Sequence, residues 1–197
     1  MKPDLYVFAK RPGMGSAKTR LARDIGPTHA QRLYLAMTAR ILRQVQDPRW
    51  NTTLYVTPAR AIGTVPAWDA HAQRPQPNGS LSPRLAHVFS GLRRPVLVIG
   101  TDCPQVGRND IAAGLAALRS APVVFGPATD GGFWLMGAVA PLPPDTFDGV
   151  RWSSEHALSD LEARLDGRVA RLRTLTDVDD AEGLAAWQAE KRRGRGP

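Results

Sequence analysis

The sequence predicts an α/β domain with three layers (α/β/α), in which helices cover both faces of a mainly parallel, mixed sheet. Short apolar runs typical of strands alternate with segments of helical periodicity through most of the 197 residues. The runs at 95–100 and 123–125 are almost wholly apolar, which is the pattern of strands buried on both faces. A hydrophobic content of 43% is enough for one sizeable core. We therefore expect a single domain over residues 1–190, followed by a basic, flexible tail at 191–197.

The strands are predicted from runs of β-branched, aromatic and aliphatic residues. These runs lie at 5–8, 52–56, 95–100, 123–125, 133–139 and 169–175. The run at 133–139 follows the preceding one so closely that we expect it to be an antiparallel neighbour. The proline-rich residues 58–80 are expected to form an irregular connection.

The helices are predicted from apolar residues at three- and four-residue spacing and from capping residues. They are expected to begin after Lys18, at Thr28, at Leu81, at Asn109 or Asp110, at Ser153 or Ser154, and at Asp179 with Glu182 three residues later. Because strands and helices alternate, ligands are expected at the carboxyl ends of the strands.

The formal charge of +8 is concentrated towards the two ends of the chain. Residues 191–197 hold four cations and no acid, which is typical of a solvated terminus. A local anion site near the start explains the remaining charge better than a nucleic-acid footprint. The single cysteine, Cys103, fits a reducing compartment, and no apolar stretch is long enough to cross a bilayer. We expect a cytoplasmic protein without a membrane partner, of an oligomeric state that the sequence does not indicate.

The stretch from Val7 to Leu21 is typical of a strand end, a cationic loop and a helix start, an arrangement that suits a phosphorylated ligand. Gly13 and Gly15 let backbone N–H groups approach an anion without a Cβ in the way. The side chains that can neutralise phosphate charge are those of Lys10, Arg11, Lys18 and Arg20.

This loop differs from a Walker A motif. Gly13 and Lys18-Thr19 have nearly the required spacing, but Ala17 stands where the motif needs its second glycine. The Cβ of Ala17 would intrude on the nest of N–H groups that wraps the phosphates. We therefore expect a polyphosphate-binding loop of another geometry.

Two aspartates follow the buried strands at 95–100 and 123–125. Asp102 and Asp130 carry the carboxylate oxygens that Mg²⁺ or Mn²⁺ prefers, and such a cation bridges one or two carboxylates to substrate phosphates. We therefore predict both aspartates as metal ligands and, with Lys18, as catalytic residues.

Several residues near these aspartates have ordinary structural alternatives. Gly131 and Gly132 would allow a substrate to approach the backbone, but Asp130 before two glycines is also typical of a tight turn. Asp102 has an alternative role as a turn or capping residue. Asp177 and Asp179 are expected to be helix caps rather than ligands.

Four motifs together resemble one protein family. They are Phe8-Ala9-Lys10-Arg11-Pro12 through Lys18-Thr19-Arg20-Leu21, Gly100-Thr101-Asp102-Cys103-Pro104, Gly126-Pro127-Ala128-Thr129-Asp130-Gly131-Gly132-Phe133 and Trp152-Ser153-Ser154. From about residue 4 to about residue 186 the chain resembles the DUF2064 family. Its members are labelled glycosyltransferase-like or selenodomain-associated transferase 1, and are similar to 2-phospholactate and molybdenum-cofactor guanylyltransferases.

The resemblance implies a GT-A, or nucleotide-diphospho-sugar transferase, fold. It also implies that the opening loop takes the nucleoside phosphates and that the Asp102 loop holds the metal. One segment departs from the family. Where relatives usually show Gln-x-x-Gly-Asp-Leu-Gly-x-Arg, residues 76–84 replace an acid and a glycine with Ser80 and Ser82.

We therefore expect a metal-dependent transferase that uses a nucleoside triphosphate or a nucleotide sugar and a small-molecule acceptor of unknown identity. Nucleotidyl transfer to a phosphorylated acceptor is slightly favoured, because the cation-rich loop suits a triphosphate. Glycosyl transfer stays open. So does a non-catalytic nucleotide- or phosphate-binding protein, which the serines at 80 and 82 would suit.

Overall fold

The computed structural model describes residues 1–13, 18–165, 167 and 169–193, without the side chain of Pro144. Two of the sequence predictions concern residues outside these ranges. Gly15, predicted to approach a phosphate, lies outside the described residues, as do residues 194–197 of the predicted tail.

A seven-stranded sheet forms the centre of the fold, with strand order β3-β2-β1-β4-β6-β5-β7. The strands are β1 (Asp4–Lys10), β2 (Asn51–Thr57), β3 (Ala72–Pro75), β4 (Val96–Ile99), β5 (Val123–Pro127), β6 (Phe133–Ala138) and β7 (Val169–Arg171). The pairs β1–β2, β1–β4, β2–β3 and β5–β7 are parallel, whereas β6 runs antiparallel between β4 and β5. The predicted mixed, mainly parallel sheet and its antiparallel strand are confirmed.

The helices cover both faces of this sheet. They are α1 (Thr19–Ile25), α2 (Pro27–Gln44), α3 (Leu81–Phe89), α4 (Arg108–Ala117), α5 (Ala157–Glu162) and α6 (Ala181–Arg193). None of the helices in the described parts of the chain is long and apolar enough to cross a membrane. Helix α6 runs to Arg193, so residues 191–193 of the predicted tail are helical.

Alternate residues of β1 enter two different core clusters, as the pleat of a strand requires. Leu5 and Val7 pack in one cluster with residues of α2 and α4, including Ile41. Tyr6 and Phe8 pack against the other, which holds buried residues of α3 and α5. The three-layer arrangement follows from this division.

The region 58–80 is more regular than its sequence predicts. It contains the edge strand β3 and two short 3-10 turns at Ala59–Ala61 and Pro66–Trp68. Strand β3 is exposed and has no apolar run, so its pairing with β2 carries no local sequence signal.

Several predicted helix starts also shift by a few residues. Helix α2 begins at Pro27, one residue before the predicted Thr28, because Pro at the first position fits the helix and needs no N–H partner. Helix α5 begins only at Ala157, after a loop in which the Ser154 hydroxyl accepts a hydrogen bond from the His156 N–H. Helix α6 is capped by Asp180, whose Oδ1 accepts the Gly183 N–H, and not by Asp179.

Leu97 in β4 is expected to be a major determinant of stability. It is 1% exposed, and Gly114 of α4 and Gly137 of β6 leave the space that its methyl groups fill. Leu97→Ala should lower the free energy of unfolding by about 2–5 kcal/mol in urea denaturation, because a cavity remains. Ile62→Ala, at a 37% exposed position, is the control and should change it by less than about 0.5 kcal/mol. Equal effects of the two substitutions would contradict the assignment of Leu97 to the central core.

Candidate functional site

The largest concentration of candidate residues lies in a cavity of about 560 Å³ at one edge of the sheet. Lys18 precedes α1, Asp102 follows β4, Asp130 follows β5, and Asp177 precedes α6. All four side chains line this cavity. The predicted convergence of three loops at the strand ends is therefore what the structure contains, with a fourth segment at 177–180 added.

Lys18 is the most unusual residue of the cavity. Its side chain is only 2% exposed, and its Nζ lies 2.5 Å from Asp102 Oδ1 and 3.3 Å from Asp179 Oδ1. Burial by itself would lower the pKa of the ammonium group, but the charges of Asp102, Asp177 and Asp179 raise it above its usual range. Lys18 is thus a buried, fixed positive charge held between two carboxylates.

The backbone holds Lys18 in a left-handed conformation, with φ 55° and ψ 48°, immediately before α1. A non-glycine residue rarely adopts this conformation unless its surroundings enforce it. The Lys18 carbonyl accepts a hydrogen bond from the Ala22 N–H. In the first turn of α1, the Leu21 N–H donates to the Asp179 carbonyl. Since Val178 N–H donates to the Asp102 carbonyl, residues 177–180 join the start of α1 to the loop of Asp102.

The expectation that Asp177 and Asp179 are helix caps is wrong. The Asp179 carboxylate pairs with Lys18 and, at 3.2 Å, with Arg20, whereas Asp180 caps α6. Burial raises the pKa of Asp177 to about 7, and the negative charges of Asp102, Asp130 and Asp179 add to this effect although Lys18 opposes it. Both residues therefore belong to the acidic side of the cavity.

Asp130 combines the two alternatives that its sequence leaves open. Its Oδ1 accepts the Gly132 N–H at 2.9 Å, which is the tight turn, while the residue is exposed and lines the cavity. Gly131 has φ +84° and packs so closely on the Glu155 backbone that a Cβ would overlap it. Packing between loops therefore accounts for the glycine at 131, and it is Gly132 that lines the cavity.

The other predicted phosphate-binding residues divide into two groups. Lys10 lines the cavity, and its backbone is fixed by Tyr34, whose hydroxyl accepts the Lys10 N–H and donates to the Lys10 carbonyl. Arg11, Gly13 and Arg20 lie outside the cavity lining. Arg20 still contributes indirectly, because it shares Asp179 with Lys18.

Sequence reasoning did not identify Gln76 and Arg84 as site residues, although the resemblance drew attention to their segment. Gln76 is 7% exposed, and its Nε2 donates to the carbonyls of Ala9 and Tyr55 at the ends of β1 and β2. Its Oε1 accepts a hydrogen bond from Arg84 at 2.9 Å. Gln76 therefore fixes an arginine of α3 against the strand ends.

Ser82 connects α3 to the far wall of the cavity. Its hydroxyl accepts the indole N–H of Trp152 at 2.7 Å and donates to the Phe147 carbonyl at 2.8 Å. Trp152 also lies edge-on to Phe133, with ring centroids 6.3 Å apart. The following residue, Ser153, has φ 59°, so both non-glycine residues with positive φ in the described chain, Lys18 and Ser153, line this cavity.

The acidic side of the cavity has the donor chemistry for a divalent cation. Four aspartates, at 102, 130, 177 and 179, face one buried ammonium group and the rim residue Arg20, so negative charge is in excess. Among the described residues, however, no three metal-ligating side chains converge on one point. These residues therefore fit a cation held by one or two carboxylates, with phosphate oxygens and water as the remaining ligands.

The raised pKa of Asp177 predicts a pH-dependent stability. Because the folded chain holds this proton more tightly than the unfolded chain, the contribution of Asp177 to the free energy of unfolding should fall as the pH rises from about 4 to about 7. Asp177→Asn removes the buried charge, so the variant should melt above the original protein at pH 8, by at least about 2 °C, with a smaller difference at pH 5. Asp69→Asn, at an exposed site, should show no such difference. An Asp177→Asn variant that is no more stable at pH 8 would contradict this assignment.

Over most of its length the chain is similar to known transferases. Over 190 residues the chain is 26% identical to a phosphoenolpyruvate guanylyltransferase of Chloroflexus aggregans, covering 89% of this chain and 93% of the relative. A protein of Desulfovibrio desulfuricans G20 assigned as a nucleotide-diphospho-sugar transferase has a similar structure, with a TM-score of 0.83 and 25% identity, covering 95% of this chain and 87% of that one. These comparisons confirm the prediction of a transferase.

A more distant structure shows the same fold. The 4-diphosphocytidyl-2C-methyl-D-erythritol synthase of Anaerococcus prevotii superposes with a TM-score of 0.61 at 10% identity, covering 97% of this chain and 98% of that one. The GT-A type of fold is thereby confirmed. Residues 38–154 match the model of a family described as "Uncharacterized protein conserved in bacteria (DUF2064)". The chain therefore belongs to the DUF2064 family, as its motifs predict.

Proposed function

We propose that the protein is a metal-dependent nucleotidyltransferase that moves a nucleoside monophosphate from a nucleoside triphosphate onto a phosphorylated small-molecule acceptor. The observation that carries this proposal is the buried Lys18 ammonium, which lines the cavity as a fixed positive charge between Asp102 and Asp179. A phosphate oxygen is the group that such a donor would take. The guanylyltransferase relative supports transfer to a phosphorylated acceptor.

The proposed reaction is an in-line displacement at phosphorus. An oxygen of the acceptor phosphate forms a bond to the α-phosphorus, and the bond from that phosphorus to the bridging oxygen breaks. The electron pair leaves with pyrophosphate. Lys18 holds the departing phosphate oxygens, and Lys10 at the cavity wall adds positive charge nearby.

Asp102 and Asp130 are the proposed carboxylate ligands of a divalent cation, Mg²⁺ or Mn²⁺. When bound, the cation would offset the charge that accumulates on the phosphate oxygens. Of the two carboxylates paired with Lys18, that of Asp102 is the more exposed, at 51%. It can therefore bind a cation without a rearrangement of its loop. Asp177 and Asp179 increase the negative potential around it and keep Lys18 charged.

Glycosyl transfer from a nucleotide sugar is the second candidate, and the similarity to the Desulfovibrio protein favours it. It would use the same Lys18, together with Arg11 and a divalent cation on Asp102, to hold a leaving nucleoside diphosphate. A non-catalytic phosphate-binding protein is the third candidate. It predicts nucleotide binding that needs neither metal nor Asp102.

Nucleotide binding should raise the melting temperature in a metal-dependent way. We expect at least one nucleoside triphosphate at 1 mM with Mg²⁺ to stabilise the protein in differential scanning fluorimetry, because ligand binding favours the folded state. Asp102→Asn should abolish the Mg²⁺-dependent part of the rise in melting temperature. Asp69→Asn should leave that part unchanged. Stabilisation that is unchanged by Asp102→Asn and by removal of Mg²⁺ would instead support the non-catalytic alternative.

Lys18 should be needed for turnover. With guanosine triphosphate and phosphoenolpyruvate as probe substrates, Lys18→Gln should reduce the rate of pyrophosphate release by at least about 100-fold, since it removes a charge-stabilising donor. Lys2→Gln, an exposed lysine near the start of the chain, should retain the original rate. A Lys18→Gln enzyme that keeps more than about a tenth of the rate would exclude Lys18 from catalysis.

A further inference from the structure

Arg84 is a cation of the cavity that the proposed transfer chemistry does not use. It lines the same cavity as Lys18 and Asp102, but it lies on α3, held by Gln76 beside the ends of β1 and β2. The hydrogen bond to Gln76 uses one hydrogen of Nη1. Within the described residues no carboxylate pairs with Arg84, and its Nε is buried without an acceptor.

The absence of a counter-ion from the described chain sets Arg84 apart from the acidic side of the cavity. Burial alone lowers the pKa of its guanidinium group, and no charged neighbour offsets that effect. Gln76 is a neutral partner that fixes the direction of the guanidinium group without neutralising it. The remaining N–H groups of the planar fork are therefore available to a ligand with two acceptors close together.

The surroundings of Arg84 suit a flat, weakly polar group. Phe8 and Leu81 of the same cavity are partly buried, and Leu85 is fully buried. Trp152 closes this side, because Ser82 binds its indole nitrogen. Aromatic and aliphatic surface beside a donor fork is the chemistry that recognises a nucleobase, whereas the phosphates belong to the side of Lys18.

We propose that Arg84, positioned by Gln76, selects the base of the nucleotide by donating two hydrogen bonds to the O6 and N7 atoms of guanine. This inference rests on the proposed function and gives its site a base preference. Guanine offers two adjacent acceptors at that edge, whereas adenine offers one acceptor and one donor. In protein–DNA complexes, arginine that donates to O6 and N7 of guanine is the commonest base-specific contact.

The test compares the dissociation constants of five nucleoside triphosphates by isothermal titration with Mg²⁺. They are guanosine, inosine, 7-deazaguanosine, adenosine and cytidine triphosphate. The original protein should bind guanosine and inosine triphosphates alike, since both carry O6 and N7. It should bind the adenosine and 7-deazaguanosine compounds more weakly, the former by about 5- to 150-fold.

Arg84→Gln should remove this discrimination, mainly by weakening the guanosine compound, and Arg84→Lys should do the same because it keeps the charge but loses the fork. If the glutamine variant does not fold, the lysine variant alone tests whether Arg84 is needed for base discrimination. Arg93→Gln, at an exposed arginine just after α3, is the matched control and should discriminate as the original protein does.

Three results would overturn the inference. They are equal affinity of the original protein for guanosine and adenosine triphosphates, tighter binding of cytidine triphosphate, and Arg84 variants that keep the preference but lose affinity for phosphoenolpyruvate. The last result would show that Arg84 binds the acceptor substrate and not the base. Failure of all five triphosphates to bind would instead refute the proposed function, and with it this inference.

Discussion

The interaction of Lys18 with Asp102 and Asp179 is the constraint on which the site depends. A buried ammonium group is costly unless opposite charge surrounds it, and here carboxylates from two distant parts of the chain supply that charge. The positive charge of Lys18 in turn reduces the repulsion among the aspartates that line the same cavity. Each side would be unfavourable without the other, so the buried position of Lys18 and the placement of the segment at 177–180 stabilise each other.

The sheet explains why these segments meet. The carboxyl ends of the parallel neighbours β1 and β4 place the Lys18 loop and Asp102 side by side. Residues 177–180 then join the start of α1 to the loop of Asp102 through backbone hydrogen bonds from Leu21 and Val178. Strands β4 and β5 both run antiparallel to β6, which lies between them, so the carboxyl end of β5 brings Asp130 and its turn to the same edge as Asp102. Rigid strands thus fix the charged groups that loops alone would leave in varied positions.

How far the sequence predicts this site depends on the range of the interactions involved. Lys18 and Asp102 are predictable as cavity residues, since Asp102 comes soon after a strand with a strong local pattern and Lys18 ends a cationic, glycine-containing segment before a helix. Asp177 and Asp179 are not, because locally they fit a cap, and their place in the cavity comes from contacts with distant loops. Likewise, Gly131 signals a turn in the sequence, but only the fold reveals that the Glu155 backbone packs against it. Strand β3 lacks any apolar run, so only its pairing with β2 identifies it.

A crystal structure with a non-hydrolysable guanosine triphosphate analogue and Mn²⁺ tests the central claim most directly. If Lys18 is the phosphate-binding cation, its Nζ should lie within hydrogen-bond distance of a phosphate oxygen, with the metal on Asp102 and the guanine edge at Arg84. A nucleotide bound elsewhere, with Lys18 still paired to Asp102 and no metal on that aspartate, would contradict the account.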